Sequence, residues 1–210
     1  SVCPVPDSGT SYAIGYSQQS KIPFVESLMK NRYMGRTFIM PSQEERENAV
    51  RIKLNPIREH LKEKSVVLVD DSIVRGTTSR RIIGIIRDAG ANEVHVRIGS
   101  PAIKSPCYLG VDMPTREELI ASEREEEEVR KRITASSLHH ISLDALVEAI
   151  GIPQRDLCTG CLTGCYPVPI PGEESHLAGI DFLSGTYQTK LERFGEKDSV
   201  SQEKDSEGWI

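Results

Sequence analysis

Apolar and helical patterns alternate in the middle of the chain and predict a strand–helix–strand unit. Residues 65–69 form a mostly β-branched apolar run, as in a parallel strand covered on both faces. Residues 77–89 carry apolar side chains at helical spacing, and Gly90 is a typical helix-ending residue. Residues 94–98 alternate as the next strand. We therefore expect an α/β fold with a parallel sheet flanked by helices.

The flanking segments predict shorter elements. We expect further strands at residues 2–5, 22–26 and 138–141, and helices at residues 10–19, 43–54, 115–121, 123–133 and 142–150. The basic and aromatic segment at residues 30–41 has no clear period, so we expect a loop there.

Three regions are expected from these patterns. They are an N-terminally truncated domain at residues 1–150, a cysteine-containing segment at residues 151–183 and a polar tail at residues 184–210. The tail is rich in Gly, Ser and Glu, which favours disorder.

Composition narrows the classes of function. The chain has 210 residues and a net charge of -5, and its Lys and Arg residues are scattered. No basic surface for nucleic acid is therefore expected. No apolar run approaches the 18 or so residues of a membrane span, and no leader pattern opens the chain. We expect a cytoplasmic protein without a membrane partner.

The stretch VVLVDDSIVRGTTS, at residues 66–79, places two carboxylates at the end of the predicted strand. Ligands of open parallel sheets bind beyond the carboxyl ends of the strands. Gly76 allows close approach of the backbone to an anion, and Thr77, Thr78 and Ser79 open the helix with amides and hydroxyls that suit a phosphate. Asp70 and Asp71 would repel that phosphate, so we expect them to face ribose hydroxyls or Mg²⁺. The alternative is that the acids only cap the helix.

This stretch resembles the phosphoribosyl pyrophosphate (PRPP) motif of type I phosphoribosyltransferases. Several further segments are similar to the C-terminal half of the glutamine PRPP amidotransferase family, including KNRYMGRTFIMPSQEER, VRIKLNPIR, DAGANEVHVRIGSPAI and GVDMPTREELIAS. The resemblance covers about residues 2–170 and implies the type I phosphoribosyltransferase fold with a Cys-rich C-terminal extension. It implies transfer of the phosphoribosyl group of PRPP to ammonia from glutamine, giving 5-phosphoribosylamine and pyrophosphate in the first step of purine biosynthesis.

The resemblance also assigns roles to residues. PRPP would be bound by Asp70, Asp71, Ser72, Arg75, Gly76, Thr77, Thr78 and Ser79. Mg²⁺ would contact Asp70, Asp71 and Ser8 of the PDSG loop. The segment around Lys30, Arg32 and Arg36 corresponds to the family's flexible loop, whose cations would stabilise the departing pyrophosphate as catalytic groups. The alternative is a solvated basic loop.

The cysteines form a second candidate site. By the same resemblance, Cys107, Cys158 and Cys161 would be ligands of a 4Fe-4S cluster, with a fourth family ligand upstream of this chain. Cys165 departs from the family pattern, as a spare thiol or a substitute ligand. Tetrahedral zinc is the structural alternative. Cys3 is expected in the core, and no histidine shows the pattern of a catalytic group.

The glutaminase half of the family is absent from this chain. We therefore expect glutamine to require that missing half, purine nucleotides to act as inhibitors, and the protein to form a homo-oligomer. Two other classes stay open: a phosphoribosyltransferase with another acceptor, and a non-catalytic PRPP-binding module or inactive fragment.

Overall fold

A parallel sheet organises the part of the chain that the structure describes. The structure is a computed structural model and describes residues 1–31, 54–111 and 115–170. The strands are β1 (Val2–Pro4), β2 (Leu28–Lys30), β3 (Leu54–Pro56), β4 (Ser65–Asp70), β5 (Glu93–Ile98) and β6 (Ser137–His140). Strands β1, β4, β5 and β6 are hydrogen-bonded in that order, and each neighbouring pair is parallel.

Helices connect and cover these strands. They are α1 (Thr10–Ser20), α2 (Arg58–Leu61), α3 (Thr77–Asp88), α4 (Glu126–Ile133), α5 (Leu143–Ile150) and α6 (Gly160–Thr163), with 3-10 turns at Arg116–Glu118 and Gln154–Asp156. The sheet and all of these helices lie in one unit, Ser1–Val168. No helix of the described residues is long and apolar enough to cross a membrane.

Helix α3 owes its position to one apolar stripe. Ile82, Ile83 and Ile86 are at most 1% exposed and belong to the same cluster as Val66 and Leu68 of β4 and the valines of β5. Burying one such side chain contributes roughly 1.5–3 kcal/mol to stability. The crossover from β4 through α3 to β5 therefore places the start of α3 directly beyond the end of β4. That junction is where the sequence predicts the ligand site.

The other face of the sheet is covered by α1 near β1 and β4. Ala13 of α1 packs against Val2 and Val69, with Phe24 at the margin of this small cluster. Cys3 is fully buried, which confirms the expected core position.

The structure confirms the strand–helix–strand unit predicted within residues 65–98. It differs from several predictions for the shorter elements. Residues 22–26 form no strand: only one parallel bridge joins Val2 and Phe24. The strand lies instead at β2, so Lys30 is on a strand rather than on a loop. Its partner β3 begins at Leu54, which the sequence assigns to a helix. Three-residue strands are too short to show a period, which explains these errors.

Two helix predictions are also too long. The segment at residues 115–121 holds only the 3-10 turn Arg116–Glu118, because its apolar residues Leu119 and Ile120 are buried by tertiary contacts rather than along a helix face. Helix α4 begins at Glu126, three residues later than expected. The rest of the expected loop and helix at residues 32–53, and the tail from residue 184, lie outside the described residues. The proposed domain boundaries stay a prediction.

Candidate functional site

A cavity of about 320 Å³ lies at the carboxyl end of β4. Its walls are formed by residues 70–79, which run from the end of β4 into α3, together with Val5 and Ser8. The loop after β1 reaches the same place because the amide of Val5 donates to the carbonyl of Val69 at 2.8 Å. The parallel pairing of β1 and β4 therefore brings the PDSG loop and the acid pair to one edge of the sheet, as expected for this class of fold.

The two acids hold distinct hydrogen bonds. Asp70 Oδ1 accepts from the amide of Asp71 at 2.9 Å and from Ser8 Oγ at 3.2 Å. Asp71 Oδ1 accepts from the amide of Ser72 at 2.7 Å. The residue before α3 is Gly76, and no side chain among the described residues caps that helix. The alternative that the acids are merely a helix cap is therefore wrong.

Burial perturbs the first acid strongly. Desolvation raises the pKa of Asp70 from 3.8 to about 7. The hydrogen bond from the amide of Asp71 opposes this rise, and the charge of Asp71 adds to it. A cation bound at this cavity wall would favour the ionised form of Asp70, because an opposite charge nearby offsets the cost of burial. Such a perturbed acid in a cleft is a common feature of functional sites.

The loop at the start of α3 has the geometry of an anion site. Gly76 has φ of 75°, and a Cβ atom at this position would collide with Ile120 Cδ1. Thr77 and Thr78 are exposed in the first turn of α3, whose amides lack partners within the helix. The cavity therefore places a helix N-terminus beside the acid pair, as the sequence predicts.

The described basic side chains that are predicted to act on PRPP lie at different points around the cavity and the PDSG loop. Lys30 Nζ is 2.8 Å from Asp7 Oδ2, next to Ser8 in the PDSG loop. Arg75 lines the cavity, and its Nε donates to Glu118 Oε2 at 2.7 Å. Arg32 and Arg36 lie outside the described residues.

Asp7 and Glu118 are the two contacts that sequence reasoning missed. Asp7 lies beside Ser8, so its place in the PDSG loop could have drawn attention to it. Glu118 is 43 residues from Arg75, and no local pattern joins them.

The two segments that carry Cys107 and the C-terminal cysteines pack together. The amides of Lys104 and Ser105 donate to the carbonyl of Cys161 at 2.9 and 3.0 Å, and Tyr166 Oη donates to the carbonyl of Pro106 at 2.6 Å. These bonds bring Cys107 next to the segment that carries Cys158, Cys161 and Cys165.

The thiols are neighbours without forming a ready ligand set. Burial raises the pKa of the Cys161 thiol, and Cys107 and Cys158 add to that effect through their charge. All five cysteines are free of disulfides. Within the described ranges, however, no three His, Cys, Asp or Glu side chains are grouped so as to hold a metal ion.

Comparison with known proteins gives a consistent result. No protein-family model matches the chain. The amidophosphoribosyltransferase of Methanothermobacter thermautotrophicus is 62% identical over 174 residues, which are 83% of this chain and 37% of that protein. Thus the chain spans well under half the length of that curated relative.

Two solved structures share the fold. A structure of the allosteric regulatory enzyme of purine biosynthesis superposes with a TM-score of 0.72 at 51% identity, over 80% of this chain and 37% of that one. The glutamine PRPP amidotransferase from B. subtilis, complexed with ADP and GMP, superposes with a TM-score of 0.71 at 51% identity, over 80% of this chain and 38% of that one.

The parallel sheet, the acid pair at the end of β4 and the helix N-terminus beyond it define a type I phosphoribosyltransferase fold. Within that class, the chain is a homologue of the C-terminal half of amidophosphoribosyltransferases.

Proposed function

We propose that this chain carries the phosphoribosyl-transfer site of an amidophosphoribosyltransferase. In this reaction the nitrogen of ammonia forms a bond to C1 of PRPP, the bond from C1 to the pyrophosphate oxygen breaks, and the nitrogen loses a proton. The products are 5-phosphoribosylamine and pyrophosphate. The observation that carries the proposal is the cavity itself, which joins a partly buried acid pair to a helix N-terminus in a chain 62% identical to a curated amidophosphoribosyltransferase.

The two ends of the cavity suit different parts of PRPP. The 5-phosphate would bind at the loop from Arg75 to Ser79, where the amides of the first turn of α3 and the hydroxyls of Thr77 and Thr78 can donate to it. Asp70 and Asp71 would accept from the ribose hydroxyls. Ser72 lies between these two groups and lines the same cavity.

Mg²⁺ fits the acid pair. Magnesium usually binds one or two carboxylates and completes its shell with water and substrate oxygens. Asp70 and Asp71 supply such a pair, and the raised pKa of Asp70 indicates a carboxylate that gains from a cation nearby. Ser8, whose Oγ is 3.2 Å from Asp70 Oδ1, would be the third protein contact. Bound magnesium would orient the pyrophosphate and offset its charge.

The leaving group would be stabilised by cations near the PDSG loop. Lys30 is held beside that loop by Asp7. We propose that Lys30 acts on the pyrophosphate together with Arg32 and Arg36. One preorganised donor of this kind contributes about 10²- to 10³-fold in rate.

The cysteines would hold a metal group with a structural role. We propose a 4Fe-4S cluster on Cys107, Cys158 and Cys161, with its fourth ligand from outside these residues. The support is that the three thiols are electrostatic neighbours. Tetrahedral zinc with Cys165 is the competing assignment. Iron and sulfide analysis, with the visible absorption of anaerobically purified protein, distinguishes the two.

Other properties stay predictions. We expect purine nucleotides to inhibit the protein, and the structure of the B. subtilis relative was determined with ADP and GMP. We likewise expect glutamine to be the ammonia source, the protein to form a homo-oligomer and its location to be cytoplasmic.

Pyrophosphate release from PRPP and Mg²⁺ tests the proposed function. We expect release that depends on ammonium at mildly alkaline pH and is lost in Asp70→Asn. The matched control is Asp144→Asn, which changes the same side chain at an exposed position of α5. Binding of PRPP without release would instead indicate a binding module. Release that requires another nucleophile would indicate a different acceptor.

A further inference from the structure

A carboxylate from a distant segment contacts the loop proposed to bind the 5-phosphate. Glu118 Oε2 accepts a hydrogen bond from Arg75 Nε at 2.7 Å. The side chains are 53% and 52% exposed for Arg75 and Glu118. An exposed pair of this kind contributes little to stability, typically about 0.2–1 kcal/mol. Stability of the fold alone therefore does not explain why a carboxylate lies beside Arg75.

The two backbones that carry this pair are fixed to each other. The amide of Ile120 donates to the carbonyl of Val74 at 2.9 Å, and the Ile120 side chain packs over Gly76. Leu119 is fully buried, so the segment that follows Glu118 is anchored in the core. The hydrogen bond between Arg75 and Glu118 therefore joins two backbone segments whose relative position is fixed by other contacts.

The same turn is anchored at its other end. Arg116 Nη1 donates to Ser105 Oγ at 3.2 Å, and the amide of Ser105 is bonded to the carbonyl of Cys161. The 3-10 turn that presents Glu118 thus has a contact at each end.

The geometry leaves most of the guanidinium available. Arginine has five N–H donors in a planar fork, and Glu118 engages the one on Nε. Within the part of the chain that the structure describes, the four Nη hydrogens of Arg75 have no hydrogen-bond acceptor. A carboxylate on Nε limits rotation of the guanidinium plane, while the Nη groups can still donate to a phosphate.

We infer that Glu118 is a positioning residue for the 5-phosphate of PRPP, acting through Arg75. This inference rests on the proposed function, because it needs Arg75 to bind that phosphate. Glu118 itself would not contact the ligand. Its carboxylate would hold the guanidinium in one orientation, so that less side-chain freedom is lost when the phosphate binds.

Calorimetric titration of the 210-residue chain with two partial ligands tests this inference. Ribose 5-phosphate probes the proposed 5-phosphate site, and magnesium pyrophosphate probes the other end of the cavity. We expect Glu118→Gln to weaken binding of ribose 5-phosphate by roughly fivefold, the upper range for an exposed ion pair. Pyrophosphate binding should not change. Glu118→Asp should restore part of the affinity, because it keeps the charge.

Two comparisons separate positioning from a general structural effect. Glu117→Gln changes the same kind of side chain in the same turn, but the hydrogen-bond partner of Glu117 is Thr115. The Glu117→Gln variant should therefore bind ribose 5-phosphate as the wild type does. In an Arg75→Ala background, Glu118→Gln should have no further effect on ribose 5-phosphate affinity.

The outcomes distinguish the inference from the proposed function. Additive effects in the double variant, equal weakening of both ligands, or unchanged binding in Glu118→Gln would overturn the role of Glu118 while leaving the proposed function standing. If the wild-type chain binds neither ligand, the proposed function fails, and the inference fails with it.

Discussion

Gly76→Ala is the substitution that most directly tests the geometry of the proposed phosphate loop. Gly76 immediately precedes α3 and has φ of 75°, in the region that favours glycine. An alanine Cβ would overlap Ile120 Cδ1 and lie 3.3 Å from Ile133 Cγ2. The variant would therefore be strained by its backbone conformation and crowded by its neighbours.

Three effects set the expected change in the free energy of unfolding of Gly76→Ala. A left-handed conformation costs a non-glycine residue about 1–2 kcal/mol. Displacing the Ile120 side chain from its rotamer costs about 0.5–1.5 kcal/mol. Alanine also restricts the unfolded chain, which offsets about 0.4–1 kcal/mol. We expect the free energy of unfolding to fall by about 2 kcal/mol, and ribose 5-phosphate binding to weaken because the loop must shift.

Urea unfolding followed by circular dichroism measures the loss of stability, and calorimetric titration measures the loss of ribose 5-phosphate binding. Gly84→Ala is the matched control: it lies inside α3, its Cβ would meet no heavy atom within 4 Å, and it should raise stability by about 0.8–1 kcal/mol. Ile120→Val removes the Cδ1 atom that the new methyl group would meet. Gly76→Ala should therefore cost less in the Ile120→Val background.

Wild-type stability and binding in Gly76→Ala would refute this account of the loop. An equal cost of Gly76→Ala in both backgrounds would refute the contribution of Ile120 and leave only the backbone term.

Three further substitutions test other parts of the structure. Asp70→Asn should raise the free energy of unfolding at pH 8 by roughly 1–4 kcal/mol in urea titrations, because burial raises the pKa of Asp70 to about 7 and the native state must then hold a buried charge. This gain should fade as the pH falls from 7 toward 4, and a gain that is independent of pH would contradict it. Burial alone would raise the pKa of Glu126, but hydrogen bonds from the ring and amide of His140 lower it overall. Glu126→Gln should therefore cost about 1 kcal/mol at pH 6, and the difference should vanish below the folded pKa of Glu126; an unchanged difference there would exclude this cause. Tyr166→Phe leaves the carbonyl of Pro106 without its 2.6 Å hydrogen bond and should cost about 1–2 kcal/mol by the same urea assay, so wild-type stability would mean that this bond is replaced.

The central unit of the fold could be predicted from local pattern alone. The apolar run of β4, the isoleucine stripe of α3 and the alternation of β5 each exceed four residues, which is enough to show a period. The position of the candidate site could be predicted as well, because Asp70, Asp71 and the Gly-Thr-Thr-Ser loop lie within residues 70–79 and the strand–helix junction places them together.

The remaining features depend on contacts between distant segments. Lys30 belongs to a three-residue strand whose partner starts at Leu54, and pairing across that separation leaves no local signal. Glu118 reaches Arg75 across 43 residues of sequence, and the buried Leu119 and Ile120 anchor its segment beside the loop. Asp70 carries a raised pKa because of burial, which is a property of the folded chain rather than of its neighbours in sequence.

Detection of the new carbon–nitrogen bond tests the central claim most directly. The chain would be incubated with PRPP, Mg²⁺ and ¹⁵N-ammonium, and the products followed by NMR. The proposed function predicts a ¹⁵N-labelled sugar in which nitrogen is bonded to C1, formed in step with pyrophosphate and absent in Asp70→Asn. Release of pyrophosphate with unlabelled ribose 5-phosphate alone, or no reaction in a folded chain that binds PRPP, would contradict it.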